Sequence, residues 1–281
     1  MTVEDLIKNT ESLPPAPEVL PKLVKIMKDP DTDSNDVVQL IATDPAITAG
    51  VLKLSNSGAF SPPSPVTDLH EAVALLGIKE VYRIVNLVSS GSYLNGALPS
   101  MDIAKGSLWE HSLAVALMMD VICREKVPAA EGLPYTLGLL HDIGKLGLHL
   151  GLGERYIDVF RAVETERVSI DQAEAKTFGF DHAVAGSKML EHWGFPEDVY
   201  LPIRYQYHPM EAPEEHRQMA GALHVANWAA AVIGCNDGRD SWALEMVEGA
   251  FSIEQSQLHL AILEAQERLL KAKKALQIGL N

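Results

Sequence analysis

Apolar residues recur every three or four positions along most of the chain, which is the spacing of one face of an α-helix. The segment VLPKLVKIM illustrates the pattern, with apolar side chains at Leu20, Leu23, Val24 and Met27. About a dozen segments of this kind occur, and no alternation of apolar and polar residues indicates a β-strand. The pattern predicts an all-α fold, a multi-helix bundle, without the repeat period of a solenoid.

Residues that cap or break helices mark several of the predicted ends. Gly77 is suited to end the helix LHEAVALLG, and the Ser107-x-x-Glu110 pattern of a capping box predicts the start of a long helix. Asp181 is suited to cap a helix that begins at His182. Each of these signals is local, so each predicts where a helix begins or ends without placing the helix in the fold.

Proline and serine indicate two further helices in the C-terminal half. Pro196 starts a helix that we expect to extend to His208, with a kink at Pro202. Ser252 is suited to cap a last long helix at 253–277. The helices at His182 and at Pro196 would then form a hairpin, which brings His182 and His208 to the same end.

The clearest internal break is the segment NGALPSMDIAKGS, residues 95–107, which is rich in small and helix-breaking residues. It divides the chain into an N-terminal helical lobe at about 10–100 and a second lobe at about 106–235. Residues 236–281 form a C-terminal helical extension in this division.

Composition narrows the class of protein. The 281 residues carry a net charge of −15, which disfavours general binding to nucleic acids or to anionic membranes. The most apolar run, residues 223–235, is too short and too polar to span a bilayer, and the N-terminus has no signal-peptide pattern. Cys123 and Cys235 belong to no metal or redox motif and are expected to be buried thiols. We therefore expect a cytoplasmic protein.

A histidine and an aspartate, His141 and Asp142, lie side by side within the apolar run YTLGLLHDIGKLGLHL. Burying charged groups destabilises a protein unless they are paired or hold a metal ion. Imidazole and carboxylate together suit a divalent Fe, Mn, Zn, Ni or Mg ion. The alternative is structural: a histidine with a local hydrogen bond, next to an aspartate that caps the helix beginning at IGKLG.

Four further polar residues are candidates to reach the same pocket. His111 lies on an apolar helix, where it could equally be a core residue with a satisfied hydrogen bond. His182 and His208 are placed together by the predicted hairpin. Asn227 lies in an apolar helix, where its amide could bind a metal ion weakly or bond the backbone.

These residues, in this order, resemble the HD superfamily of metal-dependent phosphohydrolases, whose ligand pattern is His, then His-Asp, then a distal Asp. His111 and His141–Asp142 match the first three positions, and the distal Asp position falls on Asn227. The motif HDIGK is common in the subfamily that hydrolyses cyclic di-GMP. That subfamily has extra histidine ligands, and His182 and His208 match two of them. Where that subfamily has a His-His pair this chain has Tyr207–His208, and the following Gly-Tyr-Pro segment is missing.

The N-terminal half is similar to the HDOD domain, the HD-related output domain. The resemblance covers about residues 10–235. The short segments that match are Leu13-Pro14-Pro15, Asp44-Pro45, Ser55-Asn56-Ser57 and Leu75-Leu76-Gly77. It implies an all-helical, bacterial signalling protein of a family in which most members lack a complete catalytic set.

Two functions follow from the resemblance. The first is a regulatory or scaffolding module with a degenerate HD-type metal site, without catalytic turnover, acting on another signalling protein. The second is a metal-dependent phosphohydrolase or phosphodiesterase acting on a nucleotide or cyclic dinucleotide, in which Lys145 would contact phosphate. A third possibility is a metal-free site in which the histidines form a hydrogen-bonded polar cluster.

The last helix, with apolar residues at Leu258, Ile262 and Leu269, could form a homodimer surface or pack on the core.

Overall fold

A computed structural model of the chain describes residues 2–8, 16–58, 60–124, 126–127, 132–236, 246–247, 249 and 251–279. The segment Leu13-Pro14-Pro15 lies outside these residues. Within them the chain forms α-helices and short 3₁₀ helices but no β-strand, which confirms the all-α fold. The first eight helices are α1 (Val3–Lys8), α2 (Val19–Ile26), α3 (Ser34–Ile41), α4 (Pro45–Ser55), α5 (Leu69–Leu76), α6 (Ile78–Leu94), α7 (Ser107–Cys123) and α8 (Leu133–Leu140).

Seven α-helices complete the described part of the chain. They are α9 (Ile143–Leu152), α10 (Ile157–Glu166), α11 (Ile170–Phe178), α12 (His182–His192), α13 (Glu197–Arg204), α14 (Glu214–Val232) and α15 (Gln255–Gly279). Single-turn 3₁₀ helices lie at Pro99–Met101, Gly153–Tyr156 and Pro209–Glu211.

Two of the predicted helix ends agree with the structure because the residue chemistry is local. Asp68 accepts a hydrogen bond from the backbone N–H of Glu71 at the start of α5, and Gly77 ends that helix with a φ of 79°. Asp181 likewise accepts from the backbone N–H of Val184 at the start of α12. Short polar side chains at these positions satisfy donors that the helix itself leaves free.

Three other predictions about helix ends differ from the structure. The long helix α7 starts at Ser107, near the predicted place, but it has no side-chain cap, because Ser107 is already its first residue and Gly106, with a φ of 83°, precedes it. The helix α13 contains Pro202 and ends at Arg204, so it does not extend to His208. The last helix begins at Gln255 and ends at Gly279, two residues later at each end than expected.

One continuous apolar core extends from Leu6 in α1 to Leu269 in α15, through both predicted lobes. Helix α15 packs on this core through a stripe of residues spaced three and four apart: Leu258, Ala261, Ala265 and Leu269. An ion-pair network joins α15 to α6 and α7, since Arg268 and Arg83 both bind the carboxylate of Asp120. The apolar face predicted at Leu258 and Leu269 therefore covers the core.

Glycines let the central helices approach closely. A Cβ atom on Gly138 in α8 would overlap the backbone of Ala116 in α7. A Cβ atom on Gly144 in α9 would overlap the carbonyl of His182 and the backbone of Gly186 in α12. Only a residue without a side chain allows these contacts, so the two glycines fix how close α7 and α12 come to the α8–α9 segment.

No single described helix is both long and apolar enough to cross a membrane. The helices α3 and α4 meet the length and composition criteria only when joined, and they meet at a bend of 119°.

The two thiols differ in exposure. Cys123 is buried, and burial together with the charge of Asp120 raises the pKa of its thiol to about 12. Cys235 is only half-buried, which corrects the expectation of two buried thiols, and burial raises the pKa of its thiol as well. Since the thiolate is the reactive form, both cysteines should react slowly.

We predict that Gly144→Ala destabilises the protein by about 1–3 kcal/mol, because the added methyl group would force α9 and α12 apart. Urea unfolding followed by circular dichroism measures the loss. Gly96→Ala is the matched control, since a Cβ atom at Gly96 has no neighbour within 4 Å. A cost for Gly144→Ala equal to that of the control would contradict the close approach.

We also predict that Ellman's reagent labels only Cys235 in the folded protein at pH 8, and that only slowly. The Cys235→Ser variant should therefore give no signal until guanidinium unfolds it, because Cys123 is enclosed by the core. The Cys123→Ser variant should retain the slow reaction. Rapid labelling of folded Cys235→Ser would show that the core opens around α7.

Candidate metal centre

His111, His141 and Asp142 meet in the interior, although 30 residues separate His111 from His141 along the chain. His111 lies in the first half of α7, and His141 and Asp142 form the turn between α8 and α9. The close approach at Gly138 brings this turn to α7. All three side chains are at most 2 % exposed.

The ligand atoms of the three residues face one another. The Nε2 atoms of His111 and His141 are 3.2 Å apart. Oδ2 of Asp142 lies 3.2 Å from His141 Nε2 and 3.6 Å from His111 Nε2. Two nitrogens that bind one ion at about 2.1 Å, with tetrahedral or octahedral angles, would be separated by about 3.0–3.4 Å. The spacing of the two imidazoles therefore fits a shared divalent ion.

The opposite ring nitrogens are held by backbone carbonyls. Nδ1 of His111 donates to the carbonyl of Cys235 at 2.7 Å, and Nδ1 of His141 donates to that of Gly138 at 2.8 Å. A carbonyl only accepts, so each Nδ1 carries a hydrogen and each Nε2 faces the centre, where it has a lone pair only when the ring is neutral. Two facing lone pairs repel unless a proton or a metal ion lies between them. This orientation of histidines by outer partners is typical of metal sites.

Asp142 carries the negative charge of the centre. Burial alone would raise its pKa, but the positive charges of His141 and Lys145 and hydrogen bonds from His141 and His182 hold the pKa well below its usual range. Its Oδ1 atom lies 3.4 Å from His182 Nε2, a long contact, and accepts no shorter hydrogen bond from the described residues. The carboxylate is thus ionised, with one oxygen able to accept a further ligand.

Lys145 is wholly buried, and its ammonium donates to Asp142 Oδ2 at 2.7 Å. The two residues are three apart, so the first turn of α9 sets this pairing. The resemblance assigned this lysine to phosphate. The structure places its charge on the aspartate, with none of the side chain exposed.

His182, at the first position of α12, joins the centre from the other side. Its Nε2 atom is 3.4 Å from Asp142 Oδ1 and 2.7 Å from the hydroxyl of Tyr207. Its Nδ1 atom donates to Glu174 at 2.6 Å, and Glu174 also accepts from the His182 backbone N–H. Burial alone would lower the pKa of His182, but the charge of Glu174 and hydrogen bonds to Asp142 and Glu174 raise it to about 10.

Glu174 is a positioning residue that the sequence analysis missed. It is fully buried in α11 and also accepts a hydrogen bond from the hydroxyl of Tyr156. The only sequence signal is a glutamate on the apolar side of a short amphipathic helix, next to Ala173. Gln206 was missed as well; its amide donates to the carbonyl of His141 at 3.0 Å.

The remaining two predicted ligands lie apart from these contacts. His208 follows the end of α13, is exposed, and its side chain makes no hydrogen bond or ion pair with any described residue. Its neighbour Tyr207 is the residue that reaches His182. Asn227 is buried in α14, and no hydrogen bond links its side chain to the centre in the described part of the chain.

Comparison with known proteins places this site in a family. The HDOD domain family matches residues 13–209. A curated protein of Treponema pallidum (strain Nichols), described as uncharacterized, is 25 % identical over 220 residues, or 77 % of this chain. The match covers 42 % of that protein, so the chain spans less than half the length of the curated relative.

Solved structures share the fold. An HDOD domain protein of unknown function from Geobacter sulfurreducens is 22 % identical, with a TM-score of 0.73 and coverage of 97 % of this chain and 91 % of the other. A protein from Shewanella amazonensis, named as a candidate phosphohydrolase, is 22 % identical, with a TM-score of 0.74 and coverage of 96 % and 97 %. A candidate signal transduction protein from Marinobacter aquaeolei is 21 % identical, with a TM-score of 0.77 and coverage of 99 % and 65 %. At these identities the similarity concerns the fold alone.

We predict that Asp142→Asn destabilises the protein by about 3–5 kcal/mol in the presence of EDTA, because it leaves the Lys145 ammonium buried without its counter-charge. Adding Lys145→Met should recover most of the loss, since the pair is then replaced by neutral groups. Urea unfolding of the single and double variants measures both effects.

Asp158→Asn is the matched control for this change. Asp158 pairs with Arg161 at the same spacing of three residues, but both side chains are mostly exposed. Its loss should cost less than about 1 kcal/mol. If the two aspartates proved equally costly, or if Lys145→Met gave no recovery, the buried pair would not be the stabilising element.

Proposed function

The chain belongs to the HDOD domain family, and from that premise we propose that it is a bacterial, cytoplasmic signalling module that holds a divalent metal ion without hydrolysing a substrate. Its partner in this proposal is another signalling protein, and the module acts by binding. His111, His141 and Asp142 would hold the ion. Two imidazoles and one carboxylate favour Fe, Mn, Ni or Zn over Mg, which prefers oxygen ligands.

The observation that carries the proposal is the enclosure of the centre. None of the side chain of His141, Asp142 or His182 is exposed, and only 2 % of His111 is. Metal-dependent hydrolysis requires the substrate phosphate and a metal-bound water to meet at the ion. A site whose ligand side chains are almost wholly enclosed favours a structural ion that joins α7 to the α8–α9 turn.

Tyr207 gives further support from the side of His182. Its hydroxyl accepts from the Nε2 atom that a second metal ion would need, and a histidine with a pKa near 10 carries a proton there at neutral pH. A paired metal site holds the attacking and leaving oxygens of phosphodiester hydrolysis together. The side of the centre near Tyr207 lacks the nitrogen ligand that such a pair would use.

The alternative function is a metal-dependent phosphohydrolase for a nucleotide or cyclic dinucleotide. Three protein ligands with oriented outer partners are also what a catalytic site presents. The Oδ1 atom of Asp142 favours this alternative, because its contact with His182 Nε2 is long, at 3.4 Å, and a carboxylate whose second oxygen is weakly held can bridge to a second ion. Activity measurements separate the two functions.

We predict about one transition-metal equivalent per chain in protein purified without a His-tag or chelator, measured by elemental analysis. His111→Ala should lose the metal, because His111 supplies one of three ligands. The same substitution at His208, an exposed histidine, should leave the metal content unchanged and serves as the control. A metal-free protein would instead support a hydrogen-bonded polar cluster.

The same preparations should not hydrolyse cyclic di-GMP, pGpG or nucleoside phosphates when Mn²⁺ or Fe²⁺ is added. Turnover that is abolished by Asp142→Ala would establish the phosphohydrolase and overturn the proposal. Turnover that persists in that variant would indicate a contaminant.

A further inference from the structure

A cavity of about 310 Å³ lies where α4, α6, α7, α8 and α15 meet, and none of its lining residues belongs to the metal centre. Helix α15 closes one side through Arg268, Lys271 and Ala272. Lys271 is mostly exposed, so the cavity reaches the surface at this helix. The volume lies at the lower end of the range for small-molecule binding sites, and the spaces between packed helices are among the places where such sites occur.

Most of the cavity wall is apolar. Aliphatic and aromatic side chains from three helices and the turn after α4 form it: Leu54, Phe60, Ile84, Leu87, Leu113 and Leu117. Such a surface would favour an apolar chain or ring over water. It would not suit a cyclic dinucleotide, which is larger and polar around most of its surface.

Ser57 is a polar residue of the cavity wall whose hydroxyl forms no hydrogen bond within the described part of the chain. In the motif Ser55-Asn56-Ser57, the Ser55 hydroxyl donates to the Val51 carbonyl, and the Asn56 amide bonds both backbone groups of Val66. Ser57 lines the cavity and is 6 % exposed, and its buried hydroxyl has no partner among the described residues. A buried hydroxyl without a partner destabilises the protein, so its presence needs another reason.

The other polar groups on the wall are mainly donors. Tyr135 lines the cavity, and its hydroxyl has no hydrogen bond to any described residue. Arg83 and Arg268 both bind Asp120, but a guanidinium has five N–H groups and neither uses all of them there. Among the residues that the structure describes, Glu80 is the one carboxylate that lines the cavity, and it is paired with Arg83. A ligand here must therefore supply acceptors.

We propose that this cavity binds a small amphipathic anion, a molecule with an apolar chain or ring and one carboxylate or phosphate head. The hydroxyls of Ser57 and Tyr135 and a free N–H of Arg83 donate to the head. The apolar body lies against the leucines of α6 and α7. The ligand thereby contacts both halves of the chain and α15 at once.

The test uses decanoate and decanol as probes, which share a chain and differ in the head group. Calorimetric titration of the full chain should show one saturable site for decanoate, with decanol about tenfold weaker or more, because charge-assisted hydrogen bonds to the head are lost. Equal binding of the two probes, or no binding of decanoate at millimolar concentration, would overturn the proposal.

Ser57→Ala should weaken decanoate binding about five- to tenfold while leaving the melting temperature of the free protein unchanged or raised. Ser89→Ala is the matched control, because the Ser89 hydroxyl is equally buried and also has no partner but does not line the cavity. It should leave binding unchanged. A purely structural role for Ser57 would make the two variants indistinguishable, and that result would also refute the assignment.

Ala272→Trp fills the cavity from the half-buried face of α15 and should abolish decanoate binding. Circular dichroism and urea unfolding check that this variant remains folded. Decanoate binding that survives in folded Ala272→Trp would place the site elsewhere and contradict the proposal. Measuring metal content alongside keeps this result separate from the metal centre.

Discussion

The charge of Asp142 in the interior is the interaction on which the centre of this molecule depends. A carboxylate with no exposed surface is stable as an anion only when cations and donors surround it. Here Lys145, His141 and His182 each lie within 3.4 Å of it, from α9, from the α8–α9 turn and from the start of α12. The arrangement of these elements therefore depends on the negative charge of the Asp142 side chain.

These elements, together with α7, can surround Asp142 because their backbones come unusually close. Gly138 allows α8 to lie against α7, and Gly144 allows α9 to lie against α12. Larger residues would move the histidines away from the aspartate and leave its charge without compensation. Close packing and charge compensation are thus parts of one constraint, and this explains why glycines flank the His-Asp pair on both sides along the chain.

The His-Asp centre and the cavity beside α15 differ in how far they are exposed to solvent. The His-Asp centre is built from polar groups that satisfy one another, with an outer layer of Glu174 and backbone carbonyls, and it has almost no exposed surface. The cavity between α4, α6, α7, α8 and α15 is mostly apolar and reaches the surface, and it is lined by Ser57, whose hydroxyl has no partner in the described part of the chain. The first is suited to holding an ion within the fold, and the second to exchanging a molecule with solvent.

The sequence by itself predicted the helical class, the helix end at Gly77 and the cap at Asp181, and it singled out His111 and His141–Asp142, because periodicity, capping and the HDIGK motif act over a few residues. Tertiary packing decided the rest. It placed Tyr207 rather than His208 against His182, recruited Glu174 from α11, and buried Lys145 on Asp142. It also brought Ser57 to a cavity closed by α15. These contacts depend on where a helix ends and how closely helices pack, and neither is encoded by local spacing.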